Sequence, residues 1–131
     1  MILEGKLTRS LRVDKLGRKY TRVSVCYKNK TVDNILAFID TGADLSIIGT
    51  SIVKDLEIEE IIYERTWIAS DGDRRLSPIV EVGIRAEDDD EFIELDEVIM
   101  DDAPLDDEND EEVILGLDYL QRGKKTLVFD D

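Results

Sequence analysis

Apolar and polar residues alternate along most of this chain, and turn-forming residues separate the alternating stretches. In the first third, the alternation predicts strands over residues 1–13, 19–27 and 31–39, with a hairpin turn at 15–18 between the first two. The third strand ends in five consecutive apolar residues, 35–39, a pattern that is typical of a strand buried on both faces.

The middle of the chain predicts one short helix and one long hairpin. Thr50 or Ser51 is expected to cap the start of the helix, and a strand is expected over residues 58–63. Two further strands are predicted within 66–84, and they are joined at an Asp-Gly dipeptide, which is common in hairpin turns.

The last third predicts a strand over residues 92–100, then an apolar stretch, a short helix and a terminal strand at 126–129. Gly116 interrupts the apolar stretch, and without a Cβ it permits a close crossing of two segments. Leu117 and Leu120 give the short helix a buried face. The elements together predict a mainly β fold with one or two short helices.

Length and composition favour a single domain over residues 1–131, because the chain is long enough for one core and too short for two.

The chain has no run of eighteen apolar residues, and Glu4 comes too early for a signal peptide, so no membrane partner is expected. Cys26 is the single cysteine, which suits a cytoplasmic setting. Without histidine, a zinc site or a histidine-activated nucleophile is not expected, nor is a cofactor.

The charge of the chain is concentrated in one segment. Of the net charge of −15, most comes from residues 87–112, which hold 16 of the 32 acidic residues and no lysine or arginine. The clusters at 87–91 and 101–112 are expected to be solvated loops. A calcium site is an alternative, although the spacing fits no EF-hand loop. The rest of the chain is nearly neutral, so no nucleic-acid partner is expected.

Asp40, Thr41 and Gly42 form a polar turn directly after the apolar run at 35–39. A carboxylate at the end of a buried strand is costly to desolvate unless it is hydrogen-bonded or takes part in chemistry. Thr41 adds a hydroxyl that can donate and accept hydrogen bonds. Gly42 lets the backbone turn tightly and approach a ligand closely. This turn is therefore the candidate site for chemistry that depends on carboxylates.

The Asp-Thr-Gly tripeptide at 40–42 resembles the active-site loop of the aspartic peptidases, and the Ala-Asp that follows narrows the resemblance to the retroviral-like, or retropepsin, family. Two further stretches stand in the family's order. The hairpin at 66–84 lies where retropepsins carry a flap that closes over substrate. The Ile-Leu-Gly at 114–116 precedes a short helix, as in that family, and the resemblance implies that it packs under the catalytic loop. The hairpin also fits an ordinary surface hairpin with Trp67 in the core.

The resemblance implies a closed retropepsin-like acid-protease barrel with a flap hairpin, acting on peptide or protein substrates. Aspartic peptidases use two carboxylates that share a proton. Because this chain has one Asp-Thr-Gly, the resemblance implies a C2 homodimer in which Asp40 and its symmetry mate form the dyad. It gives catalytic positions to Asp40, Thr41 and Gly42. Substrate contacts fall on Ala43, Asp44, Trp67, Ile68, Ala69, Ser70, Asp71 and Gly72.

Two departures from the family pattern keep other functions open. Retroviral members carry an arginine directly after the late glycine, where it pairs with the acid two residues beyond the motif glycine. Leu117 stands there in this chain, so Asp44 lacks that partner. The acidic insertion at 86–112 has no counterpart in the viral enzymes. The alternatives are a non-catalytic retropepsin-fold dimerisation or binding module whose acidic segment recruits a basic partner, and an unrelated small β-barrel.

Overall fold

The structure is a computed structural model, and its described part consists of strands and two short helices. It describes residues 9–13, 20–69, 71–87, 89–106, 108 and 110–129, with side chains described between 20 and 124. The strands are β1 (Arg9–Val13), β2 (Tyr20–Tyr27), β3 (Lys30–Ile39), β4 (Ile47–Ile48), β5 (Tyr63–Ile68), β6 (Arg74–Ala86), β7 (Ile93–Met100), β8 (Val113–Leu115) and β9 (Lys125–Phe129). The helices are α1 (Thr50–Asp55) and α2 (Leu117–Arg122). Within these residues, no helix has the length and apolar character needed to cross a membrane.

Six strands close into a barrel. They pair in the order β2-β3-β8-β4-β7-β6, and β6 pairs back with β2, which completes the circle. The β3–β8 and β4–β7 pairs are parallel and the other pairs are antiparallel. Strand β5 pairs with β6 and projects from the barrel as the outer strand of a hairpin. The predicted mainly β, closed barrel with a hairpin and two short helices is confirmed.

The barrel interior is filled by the inward-facing residues of each strand. On β3, Ile35, Ala37 and Ile39 are almost fully buried, whereas Leu36 and Phe38 on the other face are half-buried. Phe38 packs against a second apolar cluster that contains Ile47, Ile79, Ile99 and Ile114. The strand that leads to Asp40 is therefore held between two apolar clusters, one of which is partly open.

Three local predictions were wrong. Gly49, not Thr50 or Ser51, is the N-cap of α1. Residues 58–62 form no strand, because the ladder with β6 begins only at Tyr63. Strand β1 pairs in parallel with β9 instead of forming a hairpin with β2. The predicted turn at 15–18 and the strand start at 1–8 lie outside the described residues.

The acidic segment between β7 and β8 is attached to the barrel at several points. The Asp102 carboxylate accepts hydrogen bonds from the Thr50 backbone N–H at 2.8 Å and from its hydroxyl at 2.6 Å. The backbone N–H of Glu112 donates to the Leu36 carbonyl at 3.1 Å. Glu111 is only 6% exposed. The expectation of a solvated loop is wrong for the buried Glu111, whereas Asp102 is exposed although it is hydrogen-bonded. No group of three or more acidic, histidine or cysteine side chains suited to a metal occurs in the described part of the chain.

Candidate active site

Asp40 follows β3 directly and is held in a tight turn at the edge of the barrel. Its backbone N–H donates to the Leu115 carbonyl at 2.9 Å, which extends the β3–β8 pairing by one residue. Its carboxylate oxygen Oδ1 accepts the Gly42 backbone N–H at 2.9 Å, and its carbonyl accepts the Ala43 N–H at 3.2 Å. Asp40 is half-buried, while Thr41 and Gly42 are exposed. The carboxylate is thus fixed by the loop and still open to solvent.

The first turn of α2 holds the far side of this loop. The Leu117 N–H donates to the Ala43 carbonyl at 2.7 Å, and the Asp118 N–H donates to the Asp44 carbonyl at 3.1 Å. A Cβ on Gly116 would lie 2.7 Å from the Ala43 carbonyl oxygen, so only glycine fits this crossing. The predicted packing of the Ile-Leu-Gly element against the Asp-Thr-Gly loop is confirmed.

A buried hydrogen-bond cluster joins the same two segments. The Asp118 carboxylate accepts the Ser46 backbone N–H at 3.0 Å and the Ser46 hydroxyl at 2.7 Å. The Ser46 hydroxyl oxygen in turn accepts the Gly116 N–H at 3.0 Å. Burial raises the pKa of Asp118 above its ordinary value, and its hydrogen bonds from Ser46 and Tyr119 offset only part of that effect. These contacts fix the loop without the arginine that the family carries at the position of Leu117.

A cavity of about 520 Å³ opens beside Asp40. Its apolar wall comes from β3, β4, β7, β8 and the hairpin: Phe38, Ile47, Trp67, Ile68, Ile99 and Ile114. The polar wall consists of Asp40, Asp44, Arg65, Asp106 and Glu111. A cavity that combines apolar walls with a few convergent polar groups is the usual form of a ligand site.

The β5–β6 hairpin covers one side of this cavity. Its turn closes through hydrogen bonds from the Ala69 N–H to the Asp73 carbonyl and from the Gly72 N–H to the Ala69 carbonyl, both 2.9 Å. Gly72 has a φ of +90°, a conformation that L side chains rarely adopt. Near the tip, Ile68 and Leu76 are 67% and 63% exposed. The hairpin therefore presents apolar side chains that its own chain leaves uncovered.

A chain of hydrogen bonds fixes Trp67 on the hairpin. The Trp67 indole N–H donates to the Ser77 hydroxyl at 2.9 Å, and that hydroxyl donates to Asp101 at 2.9 Å. Arg75 makes a bidentate pair with the same carboxylate, at 2.7 and 3.0 Å. Burial opposes ionisation of Asp101, but the hydrogen bonds from Arg75, Ala103 and Ser77 outweigh it and lower its pKa. Asp101 thus connects the hairpin to the acidic segment.

The structure brings some of the predicted site residues together and leaves others apart. Asp40, Gly42, Ala43, Asp44, Trp67 and Ile68 line the cavity. The remaining described positions, Thr41, Ala69, Asp71 and Gly72, do not line it. Thr41 lies on the exposed side of the loop, and the other three lie at the hairpin tip. Ser70 lies outside the described residues.

Several cavity residues were missed by the sequence analysis. Tyr20, Arg65, Asp106 and Glu111 have no motif around them. One signal was available for Glu111: it lies two residues before the strand Val113–Leu115, which the resemblance had placed beside the Asp-Thr-Gly loop.

Comparison with solved structures identifies the fold. The EIAV protease complexed with the inhibitor HBY-793 has 25% sequence identity and a TM-score of 0.59, with 85% of this chain and 92% of that chain covered. A retropepsin-like aspartic protease from Rickettsia conorii has 15% identity and a TM-score of 0.52, covering 79% and 71%. The foamy viral protease-reverse transcriptase in complex with an RNA/DNA hybrid has 19% identity and a TM-score of 0.51 over 78% of this chain, but only 12% of that chain is covered. No family model and no curated protein sequence matches. The fold of this chain is retropepsin-like.

Proposed function

We propose that this protein is a homodimeric aspartic endopeptidase in which Asp40 and its symmetry mate form the catalytic dyad. The observation that carries the proposal is the position of Asp40: a partly solvated carboxylate at the end of β3, beside a 520 Å³ cavity and below a hairpin, in a retropepsin-like fold. The likeness to the EIAV protease supports the proposal.

The chemistry requires two carboxyl groups that share one proton. The ionised carboxylate removes a proton from a water molecule as its oxygen attacks the scissile carbonyl carbon, while the protonated carboxyl donates its proton to the carbonyl oxygen. The resulting tetrahedral diol collapses when the protonated carboxyl gives its proton to the peptide nitrogen, the other carboxylate takes a proton from a diol hydroxyl, and the C–N bond breaks. The products are a carboxylic acid and an amine, and the dyad regains its single shared proton. One chain supplies one Asp40, so a second chain must supply the other.

The proposed roles of the neighbouring residues follow from their exposure. The exposed Thr41 hydroxyl is available to hydrogen-bond with the partner's loop across the two-fold axis. Ala43 and Asp44 line the cavity wall that would contact the peptide backbone. Trp67 and Ile68 would cover substrate from the hairpin, and the apolar tip would lose its exposure when the hairpin closes.

The two-stranded sheet of β1 and β9 supports dimer formation. The strands are parallel and pair from Arg9 with Lys125 to Val13 with Phe129, in a sheet separate from the barrel. A two-stranded sheet is marginal by itself, and its edges can be extended by strands of a second chain. We propose that the partner chain adds to this sheet beneath the active site.

Cleavage of an unstructured protein tests the proposal. The wild type is expected to cleave casein, and pepstatin is expected to inhibit that cleavage. Asp40→Asn is expected to lose activity by at least roughly a thousandfold, because both acids of the dyad become amides. Asp55→Asn is a matched control, since Asp55 is exposed at the end of α1 and does not line the cavity. Equal cleavage by the wild type and Asp40→Asn would refute a catalytic Asp40.

A non-catalytic dimerisation or binding module is the second candidate, and the observation in its favour is Leu117 at the family's arginine position. Among the described residues, the hydrogen bond between Asp44 and α2 is the one that the Asp44 carbonyl accepts from the Asp118 N–H. A chain that dimerises, binds basic peptides and cleaves neither casein nor those peptides would favour the module over the enzyme.

A further inference from the structure

Part of the acidic segment between β7 and β8 forms a wall of the active-site cavity. Pro104, Asp106 and Glu111 line the same cavity as Asp40. The segment is held there by the hydrogen bonds that Thr50 donates to Asp102 and by an internal hydrogen bond from the Glu111 N–H to the Asp106 carbonyl at 3.1 Å. These acids therefore lie where substrate would bind, instead of on a tail away from the site.

Glu111 is the most buried acid of that wall. It is 6% exposed, and its oxygen Oε2 accepts the Asp106 backbone N–H at 3.2 Å. Among the described residues, the hydrogen bond to the Glu111 side chain is this one, and it leaves the other carboxylate oxygen, Oε1, without a donor. Burial raises the pKa of Glu111, and the negative charges of Asp106 and Asp40 add to that effect. Glu111 is therefore close enough to Asp40 to interact with it electrostatically, and it has an oxygen available for a ligand.

The cavity wall combines negative charge with apolar surface. Four of the described residues that line the cavity are acidic, and Arg65 is the single basic one. The Arg65 guanidinium lies 3.9 Å from the Glu97 carboxylate and 3.4 Å from the Tyr63 hydroxyl, so its charge is already shared outside the acidic wall. A side chain with an apolar stem and a cationic end matches this combination, because the stem packs on apolar surface while the charge reaches a carboxylate.

We propose that Glu111, together with Asp106, selects peptide substrates that carry a lysine or arginine beside the scissile bond. The inference rests on the proposed function, because Asp40 lines the same cavity and would define the scissile bond. The stem of the substrate side chain packs against Trp67 and Ile114, and its charged end binds the available oxygen of Glu111. Two-fold symmetry then supplies one Glu111 on each side of the dyad.

Binding is measured on the Asp40→Asn protein, so that the result does not depend on turnover. The probes are unstructured peptides that differ at one central residue, which is lysine, arginine or norleucine. The lysine and arginine peptides are expected to bind roughly ten- to a hundredfold more tightly than the norleucine peptide, as expected for a charge-assisted hydrogen bond. Adding Glu111→Gln is expected to remove most of that preference, while the affinity for the norleucine peptide changes by less than about twofold.

Glu112→Gln is the matched control. Glu112 is the next acid along the segment, but it does not line the cavity, and its carboxylate accepts the Ser51 hydroxyl at 3.2 Å. Equal losses from Glu111→Gln and Glu112→Gln would indicate a general charge effect and would overturn the proposal. So would equal affinity for all the peptides, including no measurable affinity. Asp106→Asn replaces Glu111→Gln if that variant does not fold. Casein cleavage by the wild type tests the protease itself separately.

Discussion

The contact between Asp118 and Ser46 gives the sharpest prediction about how the Asp-Thr-Gly loop is held. Asp118→Ala removes the acceptor for the buried Ser46 N–H and hydroxyl, and for the Tyr119 N–H at 2.7 Å. Each buried donor left unpaired costs about 1–3 kcal/mol. Removing a desolvated carboxylate offsets part of this, so the expected loss in the free energy of unfolding is about 2–4 kcal/mol.

The Ser46→Ala variant and the Ser46→Ala/Asp118→Ala double variant test whether the hydrogen bonds of Ser46 and Asp118 stabilise the fold cooperatively. Ser46→Ala leaves the buried Gly116 N–H without its acceptor, which costs about 1–3 kcal/mol. Because the two single variants remove one shared hydrogen bond, the double variant is expected to lose about 1–2 kcal/mol less than the sum. Urea unfolding at fixed protein concentration measures each value, with Asp55→Ala as the surface control. Additive losses, or an Asp118→Ala loss below about 0.5 kcal/mol, would refute the reasoning.

The Asp118 carboxyl group also makes the stability of the fold depend on pH. Its pKa is raised by burial in the folded protein, so the folded state binds the proton more tightly than the unfolded chain. Its contribution to stability is therefore complete below the ordinary aspartate pKa and is lost as the pH rises through the folded value. Asp118→Asn cannot titrate, so its deficit against the wild type is expected to be larger at about pH 3 than at about pH 7. A deficit that grows with pH would contradict this sign.

Three further results are expected. Gly116→Ala pushes a Cβ against the Ala43 carbonyl, so the free energy of unfolding is expected to fall by roughly 1–3 kcal/mol and casein cleavage to slow. An unchanged melting temperature would count against the close crossing. Tyr119→Phe removes the hydroxyl that accepts the buried Ala86 N–H at 3.0 Å, so urea unfolding is expected to show a loss of about 1–3 kcal/mol in the free energy of unfolding. No loss would mean that water replaces the hydroxyl. Each chain carries a net charge of −15, so added salt should tighten the proposed dimer in sedimentation, and salt-independent association would exclude repulsion as a factor.

The sequence predicted the elements that local patterns specify. The alternation of residues gave the strands around the Asp-Gly turn, and the late glycine predicted the close crossing at the Asp-Thr-Gly loop. It could not predict contacts between distant segments. Ser46 and Asp118 are 72 positions apart, and neither belongs to a recognisable motif. The acidic segment was expected to be solvated because its composition is polar, yet Asp101 and Asp102 accept hydrogen bonds from the hairpin and α1, and Glu111 is buried. Those bonds depend on how the barrel closes.

Mixing wild-type chains with inactive chains tests the shared dyad most directly. Asp40→Asn chains are added in ninefold excess, the subunits are allowed to exchange, and casein cleavage is measured per wild-type chain. Random pairing leaves about one wild-type chain in ten with a wild-type partner, so a homodimeric dyad predicts about a tenfold fall in rate. The same mass of an inert protein should leave the rate unchanged. An unchanged rate in the presence of the Asp40→Asn chains would mean that one chain holds a complete active site, and it would contradict the account.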